Sequence, residues 1–320
     1  MKLRSLAAVL MLLLGTAEMF AAKYPPETKN AALRYWMAFA EMKDTAADKA
    51  TQELLEKTAA GEAPWDEAKL GPILDANEDA IRTMQRATKL PECDWGLEYS
   101  RGPQASIAYA PRARALARLN TLEGMRQLAK GDSQAAVETW LSGIRFSQDL
   151  ARGGTLIFAL MARSVVLPDL HLLQQAARDG RLHDAAKKDV LRKVSAMPDD
   201  GFDWGSAWAM ETATLEQMLQ DLKSAKNPSS YYEALMGKPS PQEGLPPSGQ
   251  EIQELREYME GVQTALSQPP ANAAAEIANL QGKYDRLKGL EQSLIPNAKK
   301  TNEARSELSR ARAELLRAMK

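Results

Sequence analysis

Arg114 and Arg118 stand four residues apart, with Arg112 just ahead of them, so a helix through this stretch carries two guanidinium groups on one face. Like charges placed so repel by roughly 0.2–0.5 kcal/mol, and acidic company is expected for them. It has two possible sources. Asp94 and Glu98, a short way upstream, would close a structural salt-bridge cluster; alternatively the arginines face a concave surface and take an external carboxylate or phosphate through paired N–H donors. In the second reading Trp95 supplies a flat surface for stacking, and Asp94, Trp95, Arg114 and Arg118 together form the candidate ligand-binding set.

Other chemistries find less support. Cys93 is the single cysteine, which excludes an intramolecular disulfide, and the expected fate of a lone thiol beside a tryptophan is burial without reaction. His171 and His183 are the only histidines, so a zinc site would need carboxylates to complete it, and no metal or cofactor is expected. Asp199, Asp200 and Asp203 lack the spacing and terminal glutamate of a calcium loop. Gly153-Gly154 reads as a helix stop, since no Gly-x-x-x-x-Gly-Lys pattern surrounds it. Glu123 and Glu211 sit in apolar helical stretches and are candidates for buried acids with raised pKa. No nucleophile–base pair stands out, and no catalytic residue is assigned.

The first 22 residues set the compartment. Lys2 and Arg4 precede the apolar run Leu6 to Leu14, and Phe20-Ala21-Ala22 offers a small-residue exit, which is the pattern of a secretory signal peptide. The run is too short to span a bilayer, so stable membrane insertion after cleavage is not expected. The chain carries 41 basic and 42 acidic side chains, a balance without the electrostatic footprint of a nucleic-acid binder.

Alanine, leucine, glutamate, lysine and arginine are abundant and aromatics make up 6% of the chain, so helix is favoured almost everywhere. Residues 23–225 read as a helical, repeat-like domain. Its first helix follows Asn30 as cap, with Leu33, Trp36, Met37 and Ala40 as its apolar face. Helices are expected over 45–60 and over 72–89 with Pro72 in the first turn, then a packed loop over 90–110 and a helix opened by Pro111 and closed at Gly131. Gly124, Gly131, Ala136, Trp140 and Gly143 follow the small-small-Ala-aromatic-small skeleton of a tetratricopeptide helix pair, with Asn120, Glu123, Gln127 and Gln148 departing from it; Gly180 and Ala185 hint at a fainter second copy. A strongly apolar helix from Thr155 through Pro168 to Ala177 should be central. Two Asp-Trp-Gly segments, at 94–96 and 203–205, read either as helix entries or as a duplication whose tryptophans line one groove.

Residues 226–250 hold five prolines and read as a linker around a turn at 231–236. Three helices follow in 251–320, forming a bundle of their own or packing back on the body, and the narrow, charged stripe of the last suits self-association through a partner helix.

The residues Cys93-Asp94-Trp95-Gly96, Gly102, Arg114-Ala-Leu-Ala-Arg118-Leu119, Gly131, Ala136 and Gly154-Thr-Leu-Ile157 resemble those of an uncharacterised family of exported helical proteins of environmental bacteria such as acidobacteria and planctomycetes. The resemblance covers roughly residues 28–215 and implies an exported, all-helical body without supplying a reaction. The expectation is an all-α protein of stacked antiparallel helix pairs, irregular and tetratricopeptide-like, followed by a C-terminal helical bundle or hairpin. It would act in the periplasm or outside the cell as a binding or assembly module for a protein, peptide or glycan. The competing expectation is a lyase or hydrolase of envelope polymers that uses buried carboxylates.

Overall fold

The structure is a computed structural model that describes residues 27–43, 48–99, 109–237, 248–286 and 295–320. The expected signal peptide at 1–22, Gly102 and positions 238–247 of the expected linker lie outside the described residues. Among the described residues there are 13 helices and no strand, with one isolated bridge between Asn30 and Glu92. The helices are α1 (Ala31–Glu41), α2 (Lys49–Ala59), α3 (Glu67–Ala76), α4 (Glu78–Ala87), α5 (Ala110–Ala129), α6 (Ser133–Ala151), α7 (Leu156–Arg178), α8 (Asp184–Ser195), α9 (Trp204–Ser224), α10 (Pro228–Met236), α11 (Gly249–Leu266), α12 (Pro270–Arg286) and α13 (Ala298–Ala318).

The stacked body is built on α5, α6 and α7. Gly131, at φ +85°, ends the first of these in a left-handed turn, and Asp132 caps the next through the amide of Ala135. Small residues then set the spacing of the pair. A side chain at Gly124 would collide with the Trp140 ring, whose Nε1 donates to the Thr121 carbonyl at 3.1 Å; one at Gly143 would collide with the Asp169 carboxylate of α7. The departures from the repeat skeleton also have a physical role: Gln85 donates to Asn120, Asn120 to the Thr139 carbonyl, Thr139 to Gln127 and Gln127 to Glu123, a continuous polar chain between α4, α5 and α6. The fainter second copy fails at its small residue, because Ala185 is exposed and Ala186 packs inward instead.

α7 is central, as its apolar faces require, and α5, α6, α9 and α13 all pack on it. Two N-terminal expectations need correction. The helix expected from Pro72 starts upstream, where Asp66 caps α3 through the amide of Lys69, and Pro72 lies inside it. The chain then breaks at Asn77, which is buried and accepts from the Lys43 amide while donating to the Ile73 carbonyl, so α4 is a separate helix. In α1 the core-facing side is Ala31, Ala32, Tyr35, Ala38 and Phe39; the stripe assigned to the core is exposed, with Leu33 at 53% and Trp36 at 43%. Both sides of this helix are apolar, so periodicity alone does not select one.

The C-terminal helices dock on the body. The turn expected at 231–236 is the end of α10, which starts at Pro228 with Asn227 as its cap. One hydrophobic core runs without interruption from Ala31 through α7 to Leu315 and Met319. α13 lies on α7 and α8: Arg163 pairs with Glu307, Gln174 donates to Glu314 at 3.0 Å, and Arg312 donates to the Val194 and Ser195 carbonyls at 3.1 Å each, capping the end of α8. Arg305, 2% exposed, is the firmest tie. Its guanidinium meets Asp200 at 2.8 Å and donates to Asn302 and the Gln268 carbonyl, joining the α8–α9 turn to the α11–α12 turn.

Arg305→Ala leaves Asp200 and a buried carbonyl without their donor, and Asp200 retains some contact with water. The expected cost is roughly 2–3 kcal/mol, below the ~3–5 kcal/mol of a fully buried pair, read as a lower urea midpoint with an unchanged slope. A midpoint within experimental error of the parent chain would show that this tie carries no stability.

Candidate functional site

The expected binding set splits in two. Asp94 and Trp95 belong to the 90–99 loop, in which Asp94 is exposed and Trp95 turns inward. Asn30, the cap of α1, donates to the Asp94 carbonyl and accepts from the Asp94 amide, both at 2.8 Å, while the Asp94 carboxylate accepts from the Gly96 amide at 2.9 Å. That carboxylate folds into its own turn instead of onto the arginines. Trp95 is 5% exposed and its Nε1 donates to the Asp149 carbonyl at 2.8 Å; its ring stacks on Tyr109 at 4.6 Å and on Tyr35 at 5.6 Å. It is therefore part of the core and presents no stacking surface to a ligand. The second segment behaves differently: Asp203 caps α9 through the Ser206 amide, and Trp204 donates to the Asp200 carbonyl. Only this segment is a helix entry, and the two tryptophans line no common groove.

Behind Trp95 lies a buried charge. Asp149 is fully buried and accepts from the Tyr35 hydroxyl at 2.8 Å, with the Arg145 guanidinium 3.1 Å away. Burial raises its pKa, and the nearby arginine opposes the shift. The Cys93 thiol points to the Asp149 carbonyl at 3.7 Å; burial, and then the charge of Asp149, push its pKa up to about 12. These groups tie α1, the 90–99 loop and α6 together.

Arg114 and Arg118 do line one. α5 presents Arg114, Ala117, Arg118 and Thr121 on a single face, at the i, i+3, i+4 and i+7 spacing of a helical stripe. Glu56, Ala59 and Ala60 at the end of α2 form the opposite wall, and Ser164, Val165 and Pro168 of α7 form the third, around a cleft of about 430 Å³. Arg118 Nη2 stands 3.5 Å from Glu56 Oε1, so one acid does accompany the pair, and it comes from α2. Arg114 is exposed and has no ion-pair partner among the described residues.

At the floor of this cleft the Thr121 hydroxyl donates to Asp169 Oδ1 at 2.7 Å. Asp169 is buried between α5, α6 and α7, and burial raises its pKa well above the carboxylate range against the weaker pull of Thr121. The other buried acids lie elsewhere. Glu211 accepts from the Leu156 amide at 3.0 Å, satisfying the first turn of α7, and Glu123 ends the polar chain described above; burial raises both pKa values. Among the described residues no group of three His, Cys, Asp or Glu side chains converges.

Scans against protein-family models, curated proteins and solved structures return no match to this chain. The site thus rests on its geometry. Thr121 is legible in the sequence as the next step of the Arg114–Arg118 stripe, whereas Glu56, Ser164 and Asp169 join it only through the packing of α2 and α7 on α5.

Two measurements follow from these environments. With its pKa moved from 9.0 to about 12, native Cys93 should hold about a thousandfold less thiolate than a free thiol and alkylate slower than the urea-unfolded chain in that proportion at pH 8; equal rates would contradict the burial. For Asp169, the folded state prefers the protonated acid, so its contribution to stability is complete below the ordinary carboxylate range of about 4 and declines as pH rises toward the elevated folded value. Asp169→Asn keeps the acceptor for Thr121 and removes this decline. Its melting-temperature advantage over the parent should therefore widen from pH 5 to pH 8, and a constant difference would show that Asp169 is not the buried acid described.

Proposed function

We propose that this chain is an exported helical binding or assembly module of the periplasm or cell envelope, and that the α2–α5–α7 cleft takes an acidic group of an extended peptide or glycan. The observation that carries the reading is Arg114: an exposed guanidinium at the mouth of a cleft, on the same face as Arg118 and without a countercharge among the described residues. A carboxylate entering there gains a planar two-donor partner in Arg114 and a second cation in Arg118, with Ser164 and Thr121 as hydroxyl neighbours. Glu56 already answers Arg118, so the cleft favours a single acidic group over a dense polyanion. Export is supported by the leader-like 1–22 segment and by the resemblance to exported helical proteins.

The enzymatic alternative needs a reactive acid within reach of a ligand. Glu56 lines the cleft and is held by Arg118, and Asp169 stands behind Thr121; Asp149 and Glu211 each hold two elements together, and Glu123 bonds to Gln127 of its own helix. This arrangement favours binding over hydrolysis or lyase chemistry.

The test uses two fluorescent probes at low salt, a glycine-serine peptide carrying one glutamate and a neutral oligosaccharide ending in one galacturonate, with anisotropy as the readout. At least one should bind, more weakly as salt rises, and Arg114→Ala/Arg118→Ala should weaken it by about tenfold or more. The double variant should keep its fold, because the one exposed ion pair that it removes is worth roughly 0.2–1 kcal/mol. Equal binding by the folded double variant, or no binding of either probe by the parent, would overturn the reading.

A further inference from the structure

A second opening lies away from this cleft, between α12 and α13, where a groove of about 1000 Å³ runs along the two helices. On α12 its lining includes Ala271, Ala274, Ala278 and Gln281, with Pro270 and Ile277 beside them, and on α13 Lys299, Glu303, Ser306, Arg310 and Ala313, with Asn302, Ser309 and Arg312 beside them. Within each lining the first-named residues recur at intervals of 3 and 4, the spacing of one helix face that can meet another helix. Alanine and serine at the middle of both walls permit a close axial approach, near the ~8 Å lower limit of helix packing. Elsewhere α13 buries its apolar stripe, Ala304, Leu308, Ala311 and Leu315, in the protein's own core, so this seam is a separate, outward face.

We infer that the groove is occupied by α13 of a second copy of this chain, packed antiparallel about a twofold axis near Ser306. Charge selects this occupant. Glu303 and Arg310 both face the groove, are exposed, and have no ion-pair partner among the described residues. They lie seven residues apart on either side of Ser306. An antiparallel copy therefore sets Glu303 against the partner subunit's Arg310, and Arg310 against the partner subunit's Glu303, by a single operation. With Lys299 also exposed in the groove, a uniformly acidic partner answers Lys299 and Arg310 but opposes Glu303, and a basic one does the reverse, whereas an antiparallel copy answers Glu303 and Arg310 together. The symmetric arrangement is isologous, so it closes at two copies instead of propagating into a fibre. Arg312 and Asp199, paired at 2.8 Å at the groove's edge, brace α13 against the body and keep the seam presented.

Charge reversal and its reciprocal test the pairing in the purified full chain by sedimentation velocity up to about 100 µM. The parent should dimerise. Glu303→Arg alone, or Arg310→Glu alone, places like charges at both symmetric contacts and should weaken the dimer by about tenfold or more. The combined Glu303→Arg/Arg310→Glu variant restores both pairs and should return the dissociation constant to within about threefold of the parent. Ser306→Cys supplies a second readout: the axis brings it to its own copy, so mild oxidation should yield a linked dimer, with Cys93 protected by burial. A parent chain that stays monomeric at the highest concentration, a folded double reversal that stays as weak as the single variants, or a Ser306→Cys chain that does not cross-link would each overturn the assignment.

Discussion

The structure depends on one requirement, that the apolar side of α7 be covered. Phe158, Met161, Ala162, Val166, Leu170 and Leu173 are buried beneath α5, α6, α9 and α13, while Ile157, Leu160, Ser164, His171 and Gln175 form a stripe that faces solvent. Two consequences follow for the chain as a whole. The helices nearest α7 in sequence are insufficient to enclose it, so the last helix returns across the whole molecule to complete the shell. The C-terminal region is accordingly held by its apolar stripe and by the Arg163, Arg305 and Arg312 contacts, and it forms part of the same core as α1.

Covering α7 from two adjacent helices requires close approach, and that explains the small residues. Gly124 admits Trp140 and Gly143 admits Asp169, so the packing distance of the α5–α6–α7 layer is set where side chains are missing. The same closeness buries a carboxyl group. Asp169 remains acceptable there because Thr121 donates to it and because its raised pKa favours the neutral acid, which removes the larger cost of an isolated buried charge. Proximity of the Thr121 hydroxyl to the cleft is thus a by-product of the same packing, and it places a hydrogen-bonded, rigid floor beneath Arg114 and Arg118.

Much of this architecture was legible in the chain, and the errors share a cause. Helix content, the Gly131 stop, the central position of α7 and the close approach at Gly124 and Gly143 follow from local propensity and residue size, which act within one helix or between neighbours. The choice of face on α1 did not follow, because Leu33, Trp36 and Met37 are as apolar as Tyr35 and Phe39 on the opposite side; what decides is that the 90–99 loop, pinned to Asn30, lays Trp95 over Tyr35. Trp95 was misplaced for the same reason. Its neighbours in sequence are polar, whereas its neighbours in space are aromatic rings from α1 and the start of α5. Of the acids expected beside the arginines, Asp94 turns instead to the Gly96 amide, and the acid that meets Arg118 is Glu56 from α2.

The candidate site was half visible by this logic. A stripe on one helix can be read from spacing, so Arg114, Arg118 and by extension Thr121 are recoverable, but a cleft needs walls, and its walls come from α2 and α7 at long sequence separation. The buried acids show why a search by residue type alone misleads. Asp149, Asp169, Glu123 and Glu211 all have the raised pKa that is also a mark of acid catalysts, yet Asp149, Asp169 and Glu211 are answered by a hydroxyl, an amide or a guanidinium that ties elements together, and Glu123 by Gln127 within α5. Exposed charges without an ion pair are common along the described residues, Lys57, Lys130 and Lys188 among them, so exposure alone selects no site. Arg114 beside the cleft, and Glu303 and Arg310 along the groove, differ in lining an opening, where an external partner has most to gain.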